Sequence, residues 1–137
     1  MQTVLVYLAL LISGLGLQAQ NAIDVSITNI KSNEGTLKVG LYNSEATFLA
    51  TTFISKNSAI ENNRVIVTFE DVPDGTYAIS TFHDEDNNGK LNMMMGMIPS
   101  EDYACSNGAK GFFGPPKWKD ASFEINNDES KSITIKM

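Results

Sequence analysis

The chain predicts an all-β fold: a single β-sandwich of about seven short strands with one long irregular loop region. Three observations carry that expectation. Apolar residues recur with a period of two in short runs such as Ile23, Val25, Ile27 and Val65, Val67, Phe69. Clusters of Gly, Pro, Asn, Asp and Ser separate those runs at short intervals, and no segment carries the pattern of a long helix.

Taken in order, residues 1–19 resemble a secretory signal peptide. Val4 to Leu17 is apolar or small, no charge precedes Asp24, and Leu17-Gln18-Ala19 offers a small residue for cleavage. The run is shorter than the roughly 20 residues that span a bilayer, so no integral membrane segment is expected in the mature chain. No cysteine follows it to take a lipid anchor. Residues 20–137 are read as one secreted or periplasmic domain of the cell envelope.

Within it, Ile23, Val25 and Ile27 alternate with Asp24, Ser26 and Thr28 as a half-buried strand. Ser32-Asn33-Glu34-Gly35 makes a turn, and Leu37, Val39 and Leu41 form a second strand, expected to pair with the first as a hairpin. Asn43 to Leu49 holds at most one helical turn. Thr51 to Ser55 is a short strand, and Lys56 to Asn63 a polar loop. Val65 to Phe69, the turn Pro73-Asp74-Gly75 and Thr76 to Phe82 read as a second hairpin. Met93 to Lys119 is punctuated by glycines and prolines, yet it is rich enough in apolar residues to fold back over the sheet. Ala121, Phe123 and Ile125, the turn Asn126 to Glu129, and Ile133 to Met137 read as a closing hairpin.

Charge and cysteine content narrow the function. The net charge is −6 and the pI about 4.6, with Lys and Arg scattered, which argues against nucleic acid and anionic membrane as partners. Cys105 is the only cysteine, so no intrachain disulfide is available, and stability must come from a packed core, a bound ion or association.

An ion is what His83-Asp84-Glu85-Asp86-Asn87-Asn88-Gly89-Lys90-Leu91-Asn92 points to. With Asp84 as position one, Asp86 is three, Asn88 five and Gly89 six. Lys90 offers its carbonyl at seven, Leu91 an apolar anchor at eight and Asn92 a ligand at nine. Such oxygen spacing fits weakly held calcium. Met95 stands at position twelve, where an EF-hand places Glu, so the missing oxygens would come from Glu101 or Asp102 on the returning loop, or from water. The plain alternative is an Asn88-Gly89 turn without metal. Around an ion, His83, Gly89 and Leu91 support the loop rather than ligate.

The same stretch of chain carries residues suited to other chemistry. His83, the only histidine, together with Ser106 or Cys105 is the one set that would serve a hydrolase or thiol enzyme, but no nucleophile-elbow motif accompanies it. Met93 to Met97 offers thioethers that suit copper(I), or gap-filling side chains. Tyr103, Phe112, Phe113 and Trp118 could face a protein or carbohydrate partner, or else plug the open end of the sandwich.

Several linked motifs resemble a family. They are the run from His83 to Asn92, Ile98-Pro99 with Glu101 and Tyr103, Ser106-Asn107, Phe113-Gly114-Pro115-Pro116, and Asp120-Ala121 with Phe123, preceded by Phe69 to Ala78. Together they are similar to the bacterial secreted family catalogued as domain of unknown function 2141, across essentially the whole of residues 20–137. The resemblance implies an extracytoplasmic β-sandwich of transthyretin-like or immunoglobulin-like type and brings no activity with it. Asn92 in place of a more usual Asp, Ala104-Cys105 ahead of Ser106, and Met93 to Met95 depart from the family pattern.

Overall fold

Alternation decides the faces of the strands. Along β1 (Asn21–Thr28) every second side chain is buried, with Ile23, Val25 and Ile27 fully inside. In β2 (Thr36–Tyr42), Leu37, Val39 and Leu41 do the same. The chain is a computed structural model in which residues 21–91, 93–94, 98–112 and 114–137 are described. The signal-peptide reading of residues 1–19 therefore lies outside the described residues, as do Asn92, Met95, Gly96, Met97 and Phe113.

The remaining strands are β3 (Ile54–Ser58), β4 (Val65–Val72), β5 (Gly75–Asp84), β6 (Met93–Met94), β7 (Ile98–Pro99), β8 (Tyr103–Cys105), β9 (Phe123–Ile125) and β10 (Ser130–Lys136). Among the described residues the α-helix is α1 (Trp118–Ala121), a single turn, beside two short 3₁₀ turns. One sheet has the order β10-β1-β4, with β10 parallel and β4 antiparallel to β1. The other has the order β3-β2-β5-β8, and β9 also pairs with β5. Ile23, Val25, Ile27, Phe69 and Ile135 of the first sheet pack against Leu37, Val39, Leu41, Ile79 and Ile125 of the second. The expected all-β sandwich is the fold.

The three expected hairpins are not. β1 and β2 lie in different sheets, as do β4 and β5, and β9 and β10. Each connection instead carries the chain across the core. Between β1 and β2, Asn29 and Gly35 take positive φ and Ile30 is buried beneath the crossing. At the end of β4 the register shifts opposite Asn21–Ile23, with Asp71 at φ 56°, so the bulge turns the strand end towards the other sheet. Alternation fixes which way a side chain points; it is silent on which strand lies beside it. The polar loop expected at Lys56 to Asn63 is also corrected. Strand β3 runs from Ile54 to Ser58 because the free edge of β2 pairs with it, residue Leu37 opposite Ser58 through Leu41 opposite Ile54. An exposed lysine and asparagine suit such an edge strand.

The long segment does fold back over the sheet. Ala109 and Ala121 pack with Ala78 and Cys105 on the outer face of the second sheet, and Phe48 and Trp118 lie against them. Among the described residues no helix is long and apolar enough to cross a membrane.

Candidate metal centre

Strand β5 ends at Asp84, which is 1 % exposed, and the chain then turns through Asp86, Asn87 and Asn88 to Gly89. The Asp84 carboxylate shapes that turn: Oδ1 accepts from the Asn88 N–H at 3.2 Å and Oδ2 from the Gly89 N–H at 2.8 Å. Asp86 Oδ1 also accepts from Asn88, and Asn88 Oδ1 accepts from the Lys90 N–H at 2.9 Å. Asn87 and Gly89 adopt φ of 55° and 79°, values that suit these two residue types.

Glu101 returns to the same place from beyond β7. Its side chain is 5 % exposed, and Oε2 accepts from the Glu85 N–H at 2.8 Å. Carboxylate oxygens of Asp84, Asp86 and Glu101 thus lie within 4.8 Å of one another. Three like charges at that separation, two of them buried, repel strongly in a region of low dielectric, and a cation among them reverses the sign of the local energy. Carboxylates with an amide oxygen nearby are the donors of a hard divalent ion. Asp84, Asp86 and Glu101 supply three oxygens of that kind.

Support comes partly from residues that the sequence pattern did not single out. Gly35 approaches so closely that a Cβ there would stand 2.2 Å from the Asp84 carbonyl oxygen, and its φ is +72°. Thr36 Oγ1 donates to Asn87 Oδ1 at 2.6 Å. His83, fully buried, holds the Glu34 carbonyl through Nε2 at 2.5 Å, while its backbone N–H donates to the Asp102 carbonyl at 2.9 Å. With Nε2 donating, Nδ1 is left without a hydrogen-bond partner, 3.8 Å from Glu85 Oε1. His83 therefore ties the β1–β2 crossing to the loop from behind. Lys90 is exposed, Leu91 is half-buried on the outer face of the sheet, and Asn92 lies outside the described residues.

The nucleophile sets are pulled apart. Ser106 Oγ accepts from the Ile79 N–H at 3.0 Å and donates to the Ala121 carbonyl at 2.6 Å. Ile79 is four residues from His83 along β5, about 13 Å at the usual rise per residue. Strands β8 and β9 share one edge of β5, pairing with Ser80–Phe82 and Gly75–Tyr77, and the buried Ser106 hydroxyl fills the gap between them. Ser106 is a structural residue, one that a turn-and-strand reading had no signal to find. Cys105 pairs with Ser80, so it faces the side of the sheet opposite His83. Burial pushes its thiol up from the ordinary value, although a hydrogen bond with Ser80 opposes this, and a raised thiol is a poor nucleophile at neutral pH.

The remaining candidates scatter. Tyr103 is 41 % exposed on β8, and Phe112 is 91 % exposed, so Phe112 does not plug the sandwich. Trp118 packs edge-on against Phe48, ring centroids 5.7 Å apart. Met93 is exposed in β6, whereas Phe113, Met95 and Met97 lie outside the described residues.

A β-sandwich with a carboxylate-lined loop at the end of a central strand is the class of protein these features define. The chain belongs to the bacterial family described as "Uncharacterized protein conserved in bacteria (DUF2141)", whose model matches residues 25–134. No curated protein and no solved structure matches it.

Proposed function

We propose that the protein is a secreted or periplasmic, non-catalytic binding or accessory module whose Asp84–Asn92 loop and Glu101 hold a calcium ion. The observation that carries this reading is the convergence of Asp84, Asp86 and Glu101 oxygens within 4.8 Å, from two chain segments 15 residues apart or more. Calcium there joins the end of β5 to the segment leading into β8, so the ion acts as a staple and no reaction passes through it. Asn88 and the Lys90 carbonyl complete the donor set that the loop spacing provides. Two or three carboxylates with mainly neutral oxygens correspond to affinities of about 10⁻⁴ to 10⁻³ M, which match the calcium available outside a cytoplasm. The apolar stretch at residues 4–17 supports that location.

The test is a thermal melt of the purified protein in 10 mM calcium, in magnesium and in chelator, beside the double variant Asp84→Ala/Asp86→Ala. A native-state site with those affinities adds about 1.4–2.7 kcal/mol, a rise in Tm of roughly 5–15 °C. The rise is expected with calcium and absent from the double variant. Equal melts in calcium and chelator would sink the proposal.

A further inference from the structure

On the outer face of the second sheet lies a cleft of about 750 Å³ that the metal centre does not use. Its floor is Tyr42, Ser80, Phe82 and Cys105, side chains that the register of β2, β5 and β8 places on one face. Pro99, Pro115 and Pro116 wall it from the covering segment. A volume of this size falls within the range of small-molecule sites, roughly 300–1,000 Å³.

Two further observations concern what it would hold. Leu49, Met93 and Tyr103 stand at its edge with exposures of 37 %, 46 % and 41 %, so three of the large hydrophobic residues left in water gather at one opening. Such clustering marks a binding site more often than scattered surface residues do. The described lining also contains no Asp, Glu, Lys or Arg. Its polar groups are the hydroxyls of Tyr42, Ser80 and Tyr103 and the Cys105 thiol, and burial favours the neutral forms of Tyr42 and Cys105. A charged ligand would leave its hydration shell here without meeting an opposite charge.

We infer that this cleft binds an uncharged, largely apolar small molecule, its one polar group meeting the Ser80 and Tyr42 hydroxyls. The wall contributes shape and dryness; the hydroxyls orient.

The probe is the neutral fluorophore N-phenyl-1-naphthylamine, titrated into the purified full chain in chelator and again in calcium, so that failure of the metal reading leaves the result legible. A single saturable site is expected, displaced by 1-decanol and about tenfold less well by decanoate, since the carboxylate resists dehydration. Leu49→Lys puts a charge at the opening on an exposed residue, and Ser80→Leu fills the floor; each is expected to weaken the probe at least about tenfold. Melting curves identify a variant that fails to fold, and Leu49→Lys decides if Ser80→Leu does. No saturable binding, equal displacement by decanoate, or a folded Leu49→Lys protein that binds like the parent would each overturn the inference.

Discussion

Two polar sites lie along the second edge of strand β5, and they are built in opposite ways. Near its middle, Ser106 places one neutral hydroxyl between the ends of β8 and β9, with Ile79 donating to it and Ala121 accepting from it. At its end, Asp84, Asp86 and Glu101 bring three carboxylates within 4.8 Å. The first arrangement is complete without anything from solution. The second gathers like charge, an arrangement that a cation would relieve. The contrast is between a neutral group answered on both sides by the backbone and a cluster of like-charged groups.

The largest effect is expected at the closed site. Ser106→Ala removes the hydroxyl and strands a buried N–H and a buried carbonyl, so stability should fall by about 2–4 kcal/mol, equally in calcium and in chelator. Denaturant titration in both buffers measures it; a loss confined to one buffer would mean that the two sites are coupled. At the open site, Gly35→Ala sets a Cβ against the Asp84–Glu85 backbone in a left-handed conformation. It is expected to cost about 2–3 kcal/mol and to abolish the calcium-dependent rise in Tm, because the backbone bearing Asp84 must move. Glu101→Gln sharpens the contrast most finely. Its effect should be only about 1 kcal/mol and should change sign: slightly stabilising in chelator, where a repulsion is relieved, and destabilising in calcium. A change of the same sign in both buffers would remove the carboxylate cluster from consideration as a cation site.

Cys105 supplies a kinetic check on the covering segment. Buried and held in its protonated form, it should react with a thiol reagent at pH 8 about 100-fold more slowly than a free cysteine. Its folded value is raised, so whatever stability the thiol contributes is present below the ordinary value of 9.0 and is lost as pH climbs through the folded one. Labelling should accelerate steeply above that pH. Fast labelling at pH 8 would show that reagent reaches the thiol, through the cleft or by opening of the segment.

These sites were legible to different degrees. The period-two runs disclosed the faces of β1, β2, β4 and β5, because burial follows alternation wherever one face meets a core. The acidic loop after His83 stood out because oxygen side chains recur at alternate positions, and Glu101, which the structure brings beside that loop, was within reach because the local spacing left donors unfilled. Partner choice was not visible. Pro73-Asp74-Gly75 looks the same whether it closes a hairpin or carries the chain across a sandwich, and what distinguishes the cases is the bulge at Asp71 and the bonds from Asn21 to Val72 and Asp74. Ser106 entered the sequence reading only as a partner in a rival enzymatic set, and its structural role was hidden for a related reason. A serine next to a cysteine and an asparagine invites a chemical reading, and only the gap between two short strands shows why a hydroxyl is needed there.

The parallel pairing of β1 with β10 has a mechanical consequence. Residues Ala22 to Thr28 lie beside Ser130 to Lys136 in uniform register, and the two strands run the same way. Tension applied ahead of β1 and beyond β10 pulls the strands lengthwise past each other. The whole ladder between them is then loaded in shear at once, rather than opened one bond at a time from an end. A domain held at both ends would resist stretching through this one pair of strands, and the rest of the sandwich would feel the load only after it slipped.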